Sequence, residues 1–135
     1  GKNMPAVLWD RAQAFNCRRL ELEPEFRSHI CVEKGGQENH LHIQGVMDIL
    51  STSSHKINAD LRAALKGPTG ILPAGLGICV RQLTGIGLHT WLGILGYCQK
   101  DQFKDHYKMH QVGNIFSSAL VLALTPEIFP LIHLS

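Results

Sequence analysis

Apolar and polar positions change their period several times along the chain, and each change marks an element. Residues 27–35, "RSHICVEKG", carry β-branched side chains and run into the glycine pair 35–36, which predicts a strand and a turn. Residues 40–50, "HLHIQGVMDIL", alternate at first and then become apolar but for Asp48, as an interior strand does. In "STSSHKINADLRAALKG" hydroxyl residues come first, and Ile57, Leu61, Ala64 and Leu65 then recur at helical spacing until Gly67–Pro68. Serine caps and a Gly–Pro stop predict a helix from about 53 to 66. "ICVRQLTG" (78–85) reads as a further strand, and "LHTWLGILGYCQKD" (88–101) as a helix that tolerates two glycines. The opening "PAVLWDRAQAF" fits either a strand followed by a turn or the first two turns of a helix. The order is thus roughly β-β-α-β-α. It mixes hairpin and crossover links, which predicts an α+β fold: a central, largely antiparallel sheet with flanking helices.

A chain of 135 residues with no internal repeat, low-complexity tract or linker suits one domain, 1–135, with one core. No G-x-x-x-x-G-K-[ST] phosphate loop is present, so no helicase domain is expected. The segment 115–135 is apolar, but Pro126, Glu127 and Pro130 interrupt it; it reads as a core or docking tail, not a membrane helix. The start "GKNMPAVLWD" meets a charge before any apolar run develops, so no secretory leader is expected. Net charge is +2 with pI near 8.5, which permits nucleic-acid binding without demanding it. Cys17, Cys31, Cys79 and Cys98 form no C-x-x-C pair, which points to a reducing compartment and buried free thiols.

The chemistry concentrates in two stretches. On a strand, His40, His42 and Gln44 project to one face, while Leu41 and Ile43 project to the other. Two imidazoles on one face can share a divalent ion. Spacing alone leaves open a half-exposed polar face. If 29–33 and 40–45 pair as a hairpin, Glu33 comes within reach of the histidines across the ladder. Two histidines and a carboxylate with open positions suit a catalytic divalent metal. Glu38, in the turn, is the competing carboxylate. In the second stretch, "GYCQKD", Lys100 follows Tyr97 by three residues and shares its helix face. An ammonium there would stabilise a phenolate or a phosphate under attack. The alternative is a tyrosine that simply anchors an amphipathic helix. Tyr107, the other tyrosine, lacks both the preceding apolar helix and the Tyr-x-x-Lys spacing.

"HLHIQG" together with "YCQK" resembles the HUH endonucleases, with their His-hydrophobic-His motif and the Tyr-x-x-Lys motif of the replication-initiator branch. The resemblance spans roughly residues 27–101 and is nearest to the Rep nicking domains of circular single-stranded DNA viruses and related rolling-circle elements. It implies a metal site of His40, His42 and Glu33 holding Mn²⁺ or Mg²⁺, with Gln44 orienting a ligand from behind. It further implies that Tyr97 attacks single-stranded DNA to leave a 5′-phosphotyrosine, assisted by Lys100, so that rolling-circle replication begins. A single-tyrosine transposase, or a DNA-binding domain of this fold without nicking, are the alternatives. The strand motif that precedes the glutamate strand in that family has no clear counterpart in "AVLWDRAQAFNCRR". Such an element works inside the cell where its DNA replicates, in the host nucleus for a eukaryotic virus or mobile element. Assembly into oligomers on the DNA is left open.

For DNA contacts, Lys100, Lys104 and Lys108 share one face if the tyrosine helix continues through "DQFKDHYKMH". Arg18, Arg19 and Arg81 are further candidates, Arg81 from a sheet strand. Trp91 reads as core. His106 and His110, four apart, suggest a second metal pair on the same assumed helix.

Overall fold

A computed structural model describes residues 6–34, 41–48, 53–72 and 76–113. Helix α1 (Ala6–Leu22) leads into strand β1 (Arg27–Lys34), which turns back into β2 (Leu41–Asp48). Helix α2 (Ser54–Lys66) and a 3₁₀ turn (Gly67–Thr69) follow, then helix α3 (Trp91–Cys98) and strand β3 (Lys108–Val112). The described strands form one antiparallel sheet in the order β2-β1-β3. The fold is α+β, as the sequence patterning predicts.

The central position of β1 explains its burial. Six consecutive residues, Ser28 to Glu33, are buried, because helices cover the strand on both faces and strands flank it on both edges. On one face Ile30 and Val32, with Leu41 and Ile43 of β2, pack against Trp9 and Ala12 of α1. On the other, Val46 of β2 meets Leu95 of α3, with Leu83, Trp91, Leu92 and Ile94 around them. Gly45 is what allows β2 to lie so close. A Cβ there would stand 2.6 Å from the His29 carbonyl oxygen and 2.6 Å from Ile30 Cγ2.

The opening segment resolves as a helix. Leu8, Ala12, Phe15 and Arg19 recur at helical spacing and are all buried. The helix 53–66 forms as expected. Ser53 caps it, accepting from the Lys56 backbone N–H, and Gly67 ends it at φ 61°. Arg11 of α1 donates to the Leu65 carbonyl at 2.8 Å, closing the C-terminus of α2.

Two expectations fail. Residues 78–85 form no strand: the second edge of β1 is taken by β3, and this segment instead runs as irregular chain that brings Leu83 against the Val46–Leu95 cluster. The tyrosine helix also stops at Cys98, with Gln99 as its cap, and the chain turns through 99–106 before entering β3. The row Lys100, Lys104 and Lys108 therefore shares no helix face. His106 lies in the turn and His110 in β3, so they make no i, i+4 pair either.

The cysteines divide. Cys31 and Cys98 are buried, whereas Cys17 and Cys79 are exposed, the first on the outer side of α1 and the second in the irregular segment before α3. Among the described residues, no helix is long and apolar enough to cross a membrane. Residues 115–135 lie outside the described residues.

Candidate active site

The hairpin register sets one wall of the site. Glu33 of β1 stands directly opposite His42 of β2, and Cys31 opposite Gln44. All four point to the face covered by α3, away from α1. The Glu33 carboxylate is buried, its side chain 4% exposed, and its Oε1 meets Nε2 of His42. A buried carboxylate needs partners to remain charged. Its second partner is Lys100, whose Nζ lies 3.2 Å from Oε2.

Helix α3 supplies the other wall. Thr90 caps it, Oγ1 accepting from the Gly93 N–H at 3.0 Å. Gly93 is required there, because a Cβ would stand 2.8 Å from Thr90 Oγ1 and 2.9 Å from two backbone oxygens. Leu95 and Cys98 anchor the helix on the sheet. Tyr97 remains half-buried between them, with Lys100 Nζ 5.1 Å from the centre of its ring. Lys100 is thus shared between Glu33 and Tyr97. Burial works against its charge, but Glu33 first, with Tyr97 and Asp101 behind it, outweighs this and holds its pKa above the ordinary lysine value.

Three features escaped the sequence. Asp101 fastens the turn after Tyr97 to the end of β1. Its Oδ2 accepts from the Lys34 backbone N–H at 3.1 Å and from His106 Nε2 at 2.8 Å. Burial raises the pKa of this carboxyl, but the two donors prevail and hold it below the usual range. Secondly, the free thiols of Cys98 and Cys31 share a hydrogen bond, and that contact first and burial second push the Cys98 thiol far up, leaving it inert. Thirdly, Tyr107 sits near the same sulfurs. Burial first, then those sulfurs, push its phenol up to about 12, which sets it apart as a poor nucleophile.

The remaining candidates separate. Arg19, expected to face DNA, is buried, pairing with Glu23 at 2.8 Å and Asp60 at 3.6 Å, so it ties α1 to α2. Arg18, Arg81, Lys104 and Lys108 are exposed. Trp91 packs beside the core, with the Arg27 guanidinium 4.1 Å from its ring centre. His40 and Glu38 lie outside the described residues, and among the described residues no three His, Cys, Asp or Glu side chains group as a metal site. Glu33 and His42 nevertheless bring one oxygen and one nitrogen together, a donor pair of the kind that suits a divalent cation.

No curated protein and no solved structure matches this chain significantly. A family model does: that of the Replitron HUH endonuclease domain, over residues 1–124. HUH endonucleases bind single-stranded DNA and generally use divalent metals. A nitrogen–oxygen pair beside a lysine-flanked tyrosine accords with that match, which takes in all but the last residues of the chain. The chain belongs to the Replitron HUH endonuclease domain family, and it is a DNA-binding endonuclease.

Proposed function

We propose that the domain nicks single-stranded DNA with Tyr97 and transfers the strand through a covalent intermediate. The observation that carries this is Lys100, which touches the buried Glu33 carboxylate on one side and the Tyr97 ring on the other. A phenol is a weak nucleophile at neutral pH. A fixed ammonium beside it favours the negative charge that builds on the phosphate under attack.

Tyr97 Oη forms a bond to phosphorus as the bond from phosphorus to the 3′ oxygen breaks. The phenol proton leaves to solvent or a neighbouring base, and the departing oxygen takes up a proton to become a free 3′-hydroxyl. The product is a 5′-phosphotyrosine. Its phosphoester keeps the energy of the broken bond, so the reverse attack by a 3′-hydroxyl rejoins strands. Glu33, His42 and His40 would hold a divalent metal, Mn²⁺ or Mg²⁺, which supplies Lewis-acid polarisation of the scissile phosphate. Gln44, on the histidine face of β2, would orient a ligand side chain. Asp101 keeps the Tyr97–Lys100 turn against β1. Arg18, Arg81, Lys104 and Lys108 are exposed cations available to phosphates. Initiation of rolling-circle replication and single-tyrosine transposition both use this chemistry, and they differ in whether the substrate is an origin stem-loop or the terminal DNA of an element.

The test is a denaturing gel of the protein incubated with labelled single strands, stem-loops included, in Mn²⁺. A metal-dependent covalent band that Tyr97→Phe abolishes and Tyr107→Phe retains is the expected result. A band that survives Tyr97→Phe would assign the nucleophile elsewhere. Strands that bind without any adduct would leave a DNA-binding domain lacking nicking.

A further inference from the structure

The sheet face that carries Glu33 and His42 continues into a half-open pocket of about 310 Å³. His29 of β1 and Gln111 of β3, which are register partners, line it together with Leu95, Gln99, Gln102 and Tyr107. Gln99 and Gln102 flank Lys100 on the turn after Tyr97, so the pocket and the nucleophile share one support.

His29 is the unusual group. It is only 2% exposed, and its Nδ1 lies 3.0 Å from Gln111 Oε1. An amide oxygen can only accept, so the imidazole proton is on Nδ1 and Nε2 carries a bare lone pair. That Nε2 is buried and has no hydrogen-bond partner. Burial lowers the pKa of His29 and outweighs the bond to Gln111, so the lone pair persists at neutral pH. A buried acceptor without a donor is costly, and a ligand that brings an N–H removes that cost. Around it, Leu95 and Tyr107 offer surfaces for a flat ring, and the glutamine amides offer both donors and acceptors.

We propose that this pocket receives one unstacked nucleobase of the single strand, whose exocyclic amine donates to His29 Nε2. The proposal rests on the single-stranded DNA reading above and deepens it into a base preference close to the nick. Adenine, cytosine and guanine carry such an amine. Cytosine and uracil make the cleanest comparison, because uracil puts a carbonyl oxygen where cytosine has its amine, and that oxygen would face the His29 lone pair. A site built to satisfy a hydrogen bond rejects the analogue that leaves it unmade.

Fluorescence anisotropy of the full chain with short labelled oligodeoxycytidylate and oligodeoxyuridylate, without divalent metal, tests this. The cytosine strand should bind roughly tenfold more tightly. Gln102→Trp, at an exposed lining position, should fill the pocket and weaken cytosine binding to the uracil level without disturbing the core. Equal affinities in the unmodified protein would overturn the pocket assignment, as would a preference that survives Gln102→Trp. If neither strand binds, the single-stranded DNA reading falls and the pocket with it. Binding without preference removes the pocket alone.

Discussion

The link between Glu33 and Lys100 can be measured as an energy. Lys100→Met keeps the length and apolar stem of the side chain while removing the ammonium. At 3.2 Å the attraction is about 5 kcal/mol at an effective dielectric of 20 and about 1.3 kcal/mol at that of water. Glu33 is nearly enclosed, but the Lys100 side chain is 30% exposed, so the solvent screens the pair and desolvation offsets part of the gain. A coupling of about 2 kcal/mol is expected from the double-mutant cycle with Glu33→Gln. Urea unfolding followed by fluorescence of Trp9 and Trp91 reads it, as a midpoint change of ~1 M for a small domain. Lys100 has its pKa raised in the folded state. The stabilisation is then fully present below the ordinary lysine value of ~10.4 and is lost as pH rises through the higher folded value. The gap between the parent chain and Lys100→Met should stay constant to about pH 10 and narrow beyond it. A coupling under about 0.5 kcal/mol would mean that the two groups do not form a working pair. The electrostatic case for Tyr97 would then lose its support.

Gly45→Ala should lower stability by about 2 kcal/mol or more, because the Cβ meets a backbone oxygen that has no room to retreat; an unchanged melting temperature would contradict the close approach of β1 and β2. Asp101→Asn should cost about 1 kcal/mol at neutral pH. Because the folded pKa of Asp101 is depressed, that contribution is present above the unfolded value of ~3.9 and lost as pH falls through the folded one, so acid titration of both proteins should bring their stabilities together. Calorimetric titration should find Mn²⁺ bound about tenfold more tightly than Mg²⁺, since imidazole ligands suit the former; tighter Mg²⁺ would argue against a ligand set containing His42.

The hairpin was legible because alternation fixes which residues share a face. Once β1 and β2 pair antiparallel in this register, Glu33 and His42 meet. Helix α2 was legible because its cap and stop are local signals. By contrast, "ICVRQLTG" has good strand composition, whereas "KMHQV" has a poorer one, yet only the latter is a strand. Strand identity depends on which segment tertiary packing brings to an edge, and β3 rather than 78–85 lies beside β1. The helical end at Cys98 was missed for a related reason. Asp101 bonds to Lys34, far away in sequence, and that contact favours a turn where periodicity suggested more helix. The burial of Arg19 was equally invisible, since its partner Asp60 belongs to another helix.

The clasp between Asp101 and Lys34 joins positions 67 residues apart. On the reading proposed above, Tyr97 is set in place by a contact that spans much of the described chain. While the chain emerges during synthesis, the histidine–glutamate hairpin is complete before Tyr97 exists. The tyrosine in turn lacks its setting until β3 has closed the sheet. On that reading, the two halves of the site come together only when the last described strand takes its edge of β1.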